Sequence, residues 1–238
     1  MKMSPRSSVA VVLAGGGAGT RLGSNIPKAA VVFRGTPLLF HTLRTFHRLP
    51  EVRSLVIVLP AVLVDRFALL SNEFPKVKAV IAGGRRRQDS VEKALLHVIA
   101  EEIVLIHDIA RPFATVRLIR RVIAAARRFG ACVPALPVTD TVKETRGTIV
   151  VKTIPRERLV VVQTPQGFQR DVLTAAYRHG RRKRLSGSDD AFFVERLGKK
   201  VVLVRGERTN SKITYPEDLL ENRGKRDAWS GNHKGEMI

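Results

Sequence analysis

Cysteine is almost absent from this chain: 238 residues carry one, Cys132. A lone cysteine closes no internal disulfide, and its apolar surroundings (ACVPAL) read as core, which suits a reducing cytoplasm. Aromatic residues make up only 5%, and none is interleaved with the basic runs, so base stacking has no platform. No run approaches the roughly 18 to 20 apolar residues that span a bilayer. The first residues, MKMSPRSS, lack the apolar core of a signal peptide. Histidines and cysteines do not cluster at metal-ligand spacing, which argues against zinc, and no residue is assigned as a metal ligand. Acidic residues are few as well: 21 Asp and Glu stand against 42 Lys and Arg, a net charge of +21. Such an excess points to anionic partners.

Glycine is present in ordinary amount, 18 residues, but it is concentrated in one place. The stretch 13–28 reads LAGGGAGTRLGSNIPK, directly after an apolar β-branched run that predicts a buried strand over 9–13. Gly15, Gly16, Gly17 and Gly19 leave backbone N–H groups free to form an anion-binding concavity without Cβ atoms in the way. Arg21 and Lys28 close the stretch with a fork-shaped and a point-like cation, a combination suited to a polyphosphate. A Walker A loop is excluded, because no Gly-Lys-Ser/Thr follows at the required spacing. The dinucleotide pattern GxGxxG fails too, since from Gly15 its last position is Thr20.

Farther along, apolar runs alternate with helical periods. Strands are expected at 54–59, 77–81, 103–106, 131–136 and 200–204, and a short apolar run at 30–33. Helices are expected from Thr36-Pro37 onward, then at 62–71, 90–100, 116–128, 171–179 and 216–222. This rhythm predicts an α/β fold, a mostly parallel sheet flanked by helices, with ligands beyond the carboxyl ends of the strands. Between 138 and 163 the rhythm changes. Strand-like stretches at 148–154 and 159–164, with a turn at 144–147, predict a projecting β-arm that needs a partner, hence a homodimer. One domain over 1–222 is expected, followed by a disordered tail over 223–238.

Chemistry-bearing residues gather at the predicted strand ends. GGRRRQDSV, 83–91, places Ser90 at an expected helix start beside Gly83, where glycines expose backbone to a base edge. HDIARPF, 107–113, offers Asp108 for a hydroxyl or metal-bound phosphate and Arg111 for a phosphate, or else an ordinary salt bridge between the two. His107 reads as structural. PVTDTVK, QTPQGF, GSDDA and NSKITYPEDL add further hydroxyls and cations, each weak alone.

In this order, LAGGGAGTRLG with PK, GGxxRQDSV, HDIARP, PVTDTVK, QTPQGF, SDDA and NxKITxPEDL resemble the 2-C-methyl-D-erythritol 4-phosphate cytidylyltransferase family across nearly the whole chain. The resemblance implies a Rossmann-like nucleotidyltransferase fold, a homodimer through the β-arm, CTP, and Mg²⁺ held mainly through the CTP phosphates. Arg21 and Lys28 then match transition-state stabilisers. Ala14, Gly15, Gly16, Gly83, Ser90 and Asp108 match the nucleotide site. Asp108, Arg111, Thr141, Arg156, Thr164, Ser188 and Lys212 match the polyol-phosphate side, with Arg156 and Thr141 arriving from a partner's arm. Arg156 and Lys212 also count with the catalytic set.

The chain departs from the family pattern at Ala29-Ala30, at the extra arginines Arg85 to Arg87, at Ser188 and at Val161. Ribitol-5-phosphate cytidylyltransferase is the neighbouring alternative. A basic nucleic-acid-binding protein on a degenerate nucleotidyltransferase scaffold is a third, supported by the charge and opposed by the intact Arg21 and Lys28.

Overall fold

The computed structural model describes residues 8–17 and 26–221. Gly19, Arg21 and the expected tail over 223–238 lie outside the described residues. The strands are β1 (Val9–Ala14), β2 (Val32–Phe33), β3 (Thr36–Pro37), β4 (Val52–Leu59), β5 (Val77–Ala82), β6 (Ile103–Asp108), β7 (Ala131–Pro137), β8 (Val142–Arg146), β9 (Ile149–Ile154), β10 (Val160–Val162), β11 (Gln166–Gln169) and β12 (Val202–Arg205). The helices are α1 (Leu38–His47), α2 (Ala61–Val64), α3 (Leu70–Glu73), α4 (Arg87–Leu95), α5 (Val116–Phe129), α6 (Arg170–Arg182), α7 (Ala191–Arg196) and α8 (Pro216–Glu221).

β1 is the axis of an eight-stranded sheet. It pairs in parallel with β4 on one side and β6 on the other, and β5 adds in parallel beyond β4. β11 runs antiparallel between β6 and β7, and β12 pairs in parallel along β7. β10 and β11 both run antiparallel to β7, at Ala135–Pro137 and at Ala131–Cys132, so they form one run broken at 163–165. Because β1 turns toward β4 while β6 lies on its other flank, the crevice for ligands opens above β1 and β6.

Burial follows the period-2 rule on both faces. Val9, Val11 and Leu13 pack with α1 and α5, while Ala10 and Val12 pack with α4, α6 and α7. A strand covered on both faces is apolar along its covered length, which is why β1, 55–59 of β4 and 103–106 of β6 read as unbroken runs. α5 has its ends written in its sequence. The Thr115 hydroxyl accepts from Leu118 N at 3.0 Å, and Gly130 at φ 87 closes the helix.

Several local expectations shift. α1 begins at Leu38, after the β2–β3 ladder in which Thr36 pairs with Phe33, so the Thr36 side chain caps nothing. The helix expected at 62–71 buries Leu63, Phe67 and Leu70, but tightens into a 3₁₀ turn at Asp65–Phe67 between α2 and α3. α4 starts at Arg87, earlier than expected, because Asp89 accepts from Arg86 N at 3.0 Å and so fixes the first turn. Ser90 therefore lies inside the helix. In the arm, Glu144 to Arg146 are strand β8 and not a turn; the reversal is at Gly147, with φ 59. β11 and α7 were not anticipated.

Candidate active site

The carboxyl ends of β1, β5 and β6 meet at a cavity of about 420 Å³. Ala14, Gly15, Gly16 and Gly17 form one wall, and Gly84 to Arg87 with Ser90 form another. Asp108 sits at the base, with Lys28 and Lys212 around it. It is the sole carboxylate lining the cavity among the described residues.

Close backbone approach explains one glycine in each of these two walls, Gly15 and Gly84. A Cβ on Gly15 would lie 2.4 Å from Ile109 Cδ1 and 3.1 Å from the Val58 carbonyl. A Cβ on Gly84 would lie 2.5 Å from Asp89 Cβ and 3.2 Å from Ser90 N. That second approach lets Gly84 N–H donate to Ser90 Oγ at 2.9 Å, while Ser90 Oγ–H donates to the Arg86 carbonyl at 3.2 Å. The hydroxyl also lies 3.0 Å from the Cβ position of Gly83, so serine, turn and helix are locked together.

Lys212 Nζ donates to Asp108 Oδ2 at 2.6 Å, and Arg87 Nε lies 3.5 Å from Asp108 Oδ1. Burial alone would raise the Asp108 carboxyl, but Arg87 and Lys212 outweigh it and hold the group well below the usual carboxylate range. Lys28 Nζ donates to the Ile213 carbonyl at 2.9 Å. The 210–214 loop thus carries one cavity cation and braces another. It is anchored by Ile213 N–H to the Ala110 carbonyl at 2.8 Å and by the buried Asn210, which donates to the Thr164 carbonyl at 2.9 Å.

Behind Asp108, His107, Thr164 and Arg111 are tied to the surrounding chain. His107 Nε2 lies 3.0 Å from the Arg111 carbonyl, an acceptor only, so Nε2 carries the proton and Nδ1 accepts from Thr164 Oγ1 at 3.1 Å. The same Thr164 oxygen accepts from Asp108 N at 3.1 Å. Burial pushes His107 down to about 4, so the ring is neutral and structural. Thr164 is thereby placed behind Asp108 and not on the cavity surface. Arg111 donates to the Asn210 carbonyl at 2.8 Å and is likewise turned away from the cavity lining.

The remaining expected residues lie outside the cavity of a single chain. Ser188, Thr141 and Arg156 are exposed, and Arg156 donates to the Thr139 carbonyl at the root of the arm. Conversely, the structure brings in Arg87 and Asp190, which had not been assigned a role. Arg87 Nη1 pairs with Asp190 Oδ2 at 2.7 Å, and Tyr177 Oη donates to Asp190 Oδ1 at 2.6 Å. Gln166 holds that loop by accepting from Asp190 N at 3.1 Å and donating to Asp189 Oδ2 at 2.7 Å. The signal in the sequence was GSDDA and the third of three arginines, but their meeting is non-local.

No cluster of three or more His, Cys, Asp or Glu side chains suited to a metal ion occurs among the described residues, and no helix there is long and apolar enough to cross a membrane.

The sequence profile of the 2-C-methyl-D-erythritol 4-phosphate cytidylyltransferases matches residues 9–223. A relative from Syntrophus aciditrophicus carrying that name is 41% identical over 224 residues, 92% of this chain and 94% of its own. One from Bacillus mycoides is 40% identical over 212 residues, 88% and 94% of the two chains. Among solved structures, the Thermus thermophilus cytidylyltransferase superposes with a TM-score of 0.75 at 37% identity, covering 90% of this chain and 95% of that one. A 4-diphosphocytidyl-2C-methyl-D-erythritol synthase from Anaerococcus prevotii superposes at 0.79 with 27% identity, covering 91% and 94%. With its glycine-walled cavity and cations at the strand ends, this chain belongs to the 2-C-methyl-D-erythritol 4-phosphate cytidylyltransferase family.

Proposed function

We propose that this chain transfers CMP from CTP to 2-C-methyl-D-erythritol 4-phosphate, giving 4-diphosphocytidyl-2-C-methyl-D-erythritol and pyrophosphate. A phosphate oxygen of the polyol attacks the α-phosphorus of CTP, a P–O bond forms there, and the bond to the β-phosphate oxygen breaks. The observation that carries the reading is the cavity itself, where Lys28 and Lys212 converge on a glycine wall at the ends of the central strands. Such transfer asks the protein mainly to position reactants and neutralise charge.

In this reading Ser90 and the backbone of Gly83 and Gly84 hold the base edge, and Ala14 to Gly16 admit the phosphates. Lys28, together with Arg21, which lies outside the described residues, stabilises the charge that grows on the α-phosphate. Asp108 and Lys212 set the attacking phosphate and ribose side by side. A magnesium ion would be held here mainly through the triphosphate oxygens, since the lining offers one carboxylate, Asp108, too few for a protein cage. When bound, it neutralises triphosphate charge.

A homodimer completes the site in the same reading, with Arg156 and Thr141 of each arm reaching the other chain's cavity. The exposed β-branched residues Ile149, Val150 and Val151 on β9 support an arm that pairs. The single buried thiol, Cys132, accords with a cytoplasmic enzyme.

The test is pyrophosphate release from CTP and Mg²⁺ with methylerythritol phosphate or ribitol 5-phosphate in turn. Faster release with the methylerythritol substrate is expected; faster release with ribitol phosphate replaces the assignment.

A further inference from the structure

The cavity base joins a row of charges that alternates in sign. From front to back it runs Lys212, Asp108, Arg87, Asp190, with Nζ to Oδ2 at 2.6 Å, Oδ1 to Nε at 3.5 Å and Nη1 to Oδ2 at 2.7 Å. Tyr177, on α6, ends the row by donating to the other Asp190 oxygen at 2.6 Å. Asp190 is wholly buried and lines no part of the cavity, and Tyr177 is 5% exposed with its ring stacked against Phe193 at 4.8 Å.

Asp190 Oδ2 accepts no well-directed hydrogen bond, so the Arg87 charge is what compensates it. A charge in such a position is tolerated only while paired. The pairing also acts in the other direction. Arginine has a long, rotamer-rich stem, and a planar fork between two carboxylates is held where a single contact would leave it swinging. With Asp190 neutral, the only carboxylate left to Arg87 in this row is Asp108. The guanidinium then moves onto the oxygens that hold Lys212, and the two cations compete for one anion.

We propose that Asp190 and Tyr177 are positioning residues for the reaction: they hold Arg87 at a fixed distance from Asp108 and so leave Lys212 in place for the incoming phosphate. Neither touches substrate. Gln166 serves the same end, since its side-chain carbonyl accepts from both Asp190 N at 3.1 Å and Ala191 N at 3.2 Å. The rear of the site is therefore set by α6 and the start of α7, elements that lie behind the cavity. This inference rests on the cytidylyl-transfer reading for its kinetic part alone.

The test uses the full chain. Tyr177→Phe keeps the ring and removes one hydroxyl; Asp190→Asn keeps the shape and removes the charge. Phe193→Leu, in the same core but outside the row, is the control for lost stability. With CTP saturating and the polyol phosphate varied, kcat/KM is expected to fall by roughly 3- to 30-fold in both row variants, more in D190N than in Y177F. F193L should lower the melting temperature yet stay within about twofold of the parent in kcat/KM. The side-chain N–H resonance of Arg87, assigned by its loss in Arg87→Lys, reports the row without any substrate. It should be protected from solvent exchange in the parent and in F193L, and exposed in Y177F and D190N. If D190N does not fold, Y177F decides alone. A parent that fails to turn over the polyol phosphate removes the functional reading and leaves the resonance to judge the row. Unchanged kcat/KM with an unchanged Arg87 resonance in Y177F overturns the proposal, as does an equal kinetic loss in F193L.

Discussion

The cavity wall and the β-arm are opposite kinds of structure built from one chain. At the wall, the key side chains have internal partners: Asp108 touches Lys212, Arg87 and Thr164, and Ser90 both accepts and donates. In the arm, β8 and β9 pair with each other and cover nothing, and Ile149 is 71% exposed. Buried polar networks hold a site ready, because an unpaired group there is costly. An exposed hairpin of β-branched residues has no such internal reason for its shape and requires an external one. On the proposed reading, the contrast separates a nucleotide half that a single chain prepares from a polyol half that a second copy completes.

The largest effect should come from the wall. Lys28→Ala is expected to lower kcat by about 10²-fold or more, by analogy with other preorganised charge donors, with little change in melting temperature. A loss under tenfold would mean that the wall's cations are not the ones that meet the reacting phosphate. Arg156→Ala, on the arm, is expected to lose about tenfold or more. The decisive form of this experiment mixes inert Lys28→Ala chains with Arg156→Ala chains. If arms are exchanged, each mixed dimer contains one intact site, and roughly a quarter of parent activity returns on random pairing. No return would place Arg156 in its own chain's cavity and end the contrast drawn above.

Smaller effects sharpen the picture of the wall. Gly84→Ala puts a Cβ 2.5 Å from Asp89 Cβ and should displace Ser90, raising KM for CTP about tenfold and costing about 1–3 kcal/mol in urea unfolding. The gentlest probe is pH. His107 titrates at about 4 in the fold against 6.5 as its ordinary value, so the folded state binds fewer protons between those limits. Stability is then fully present above 6.5 and declines as pH falls toward 4, by up to about 3 kcal/mol. Asp108, held below the usual range by its two cations, stays ionised throughout that window. An NMR titration of His107 with an ordinary midpoint would show that the wall is wetter than its packing implies.

The same contrast explains what could be read from residues alone. β1, β4 and β6 are covered on both faces, and complete burial forces a continuous apolar run that periodicity detects at once. β8, VKETR, is almost wholly exposed, so nothing selects an alternating pattern and its strand character is written only in its pairing with β9. β11 and α7 are short, four and six residues, and tertiary pairing determines them. The glycine wall was legible because its glycines are consecutive, and at Gly15 close approach demands glycine itself. Arg87 and Asp190 were not, because an ion pair 103 positions apart leaves no local spacing to find. Thr164 and Arg111 were expected at the ligand surface; hydroxyls and guanidiniums bind backbone as readily as substrate, and residue type does not tell which.

The broken run of β10 and β11 bears on how the protein can be altered. The chain leaves the arm and enters the middle of the sheet within a few residues, delivering Thr164 to the Asp108 amide as it passes. Side chains alternate along such a path, so adding or deleting one residue between Arg158 and Gln166 would turn Thr164 to the opposite face. At the hairpin tip, Gly147 has open space around it, and extra length there disturbs no neighbour in its own chain. Within a single chain, added length is thus far better tolerated at the tip of the arm than at its root.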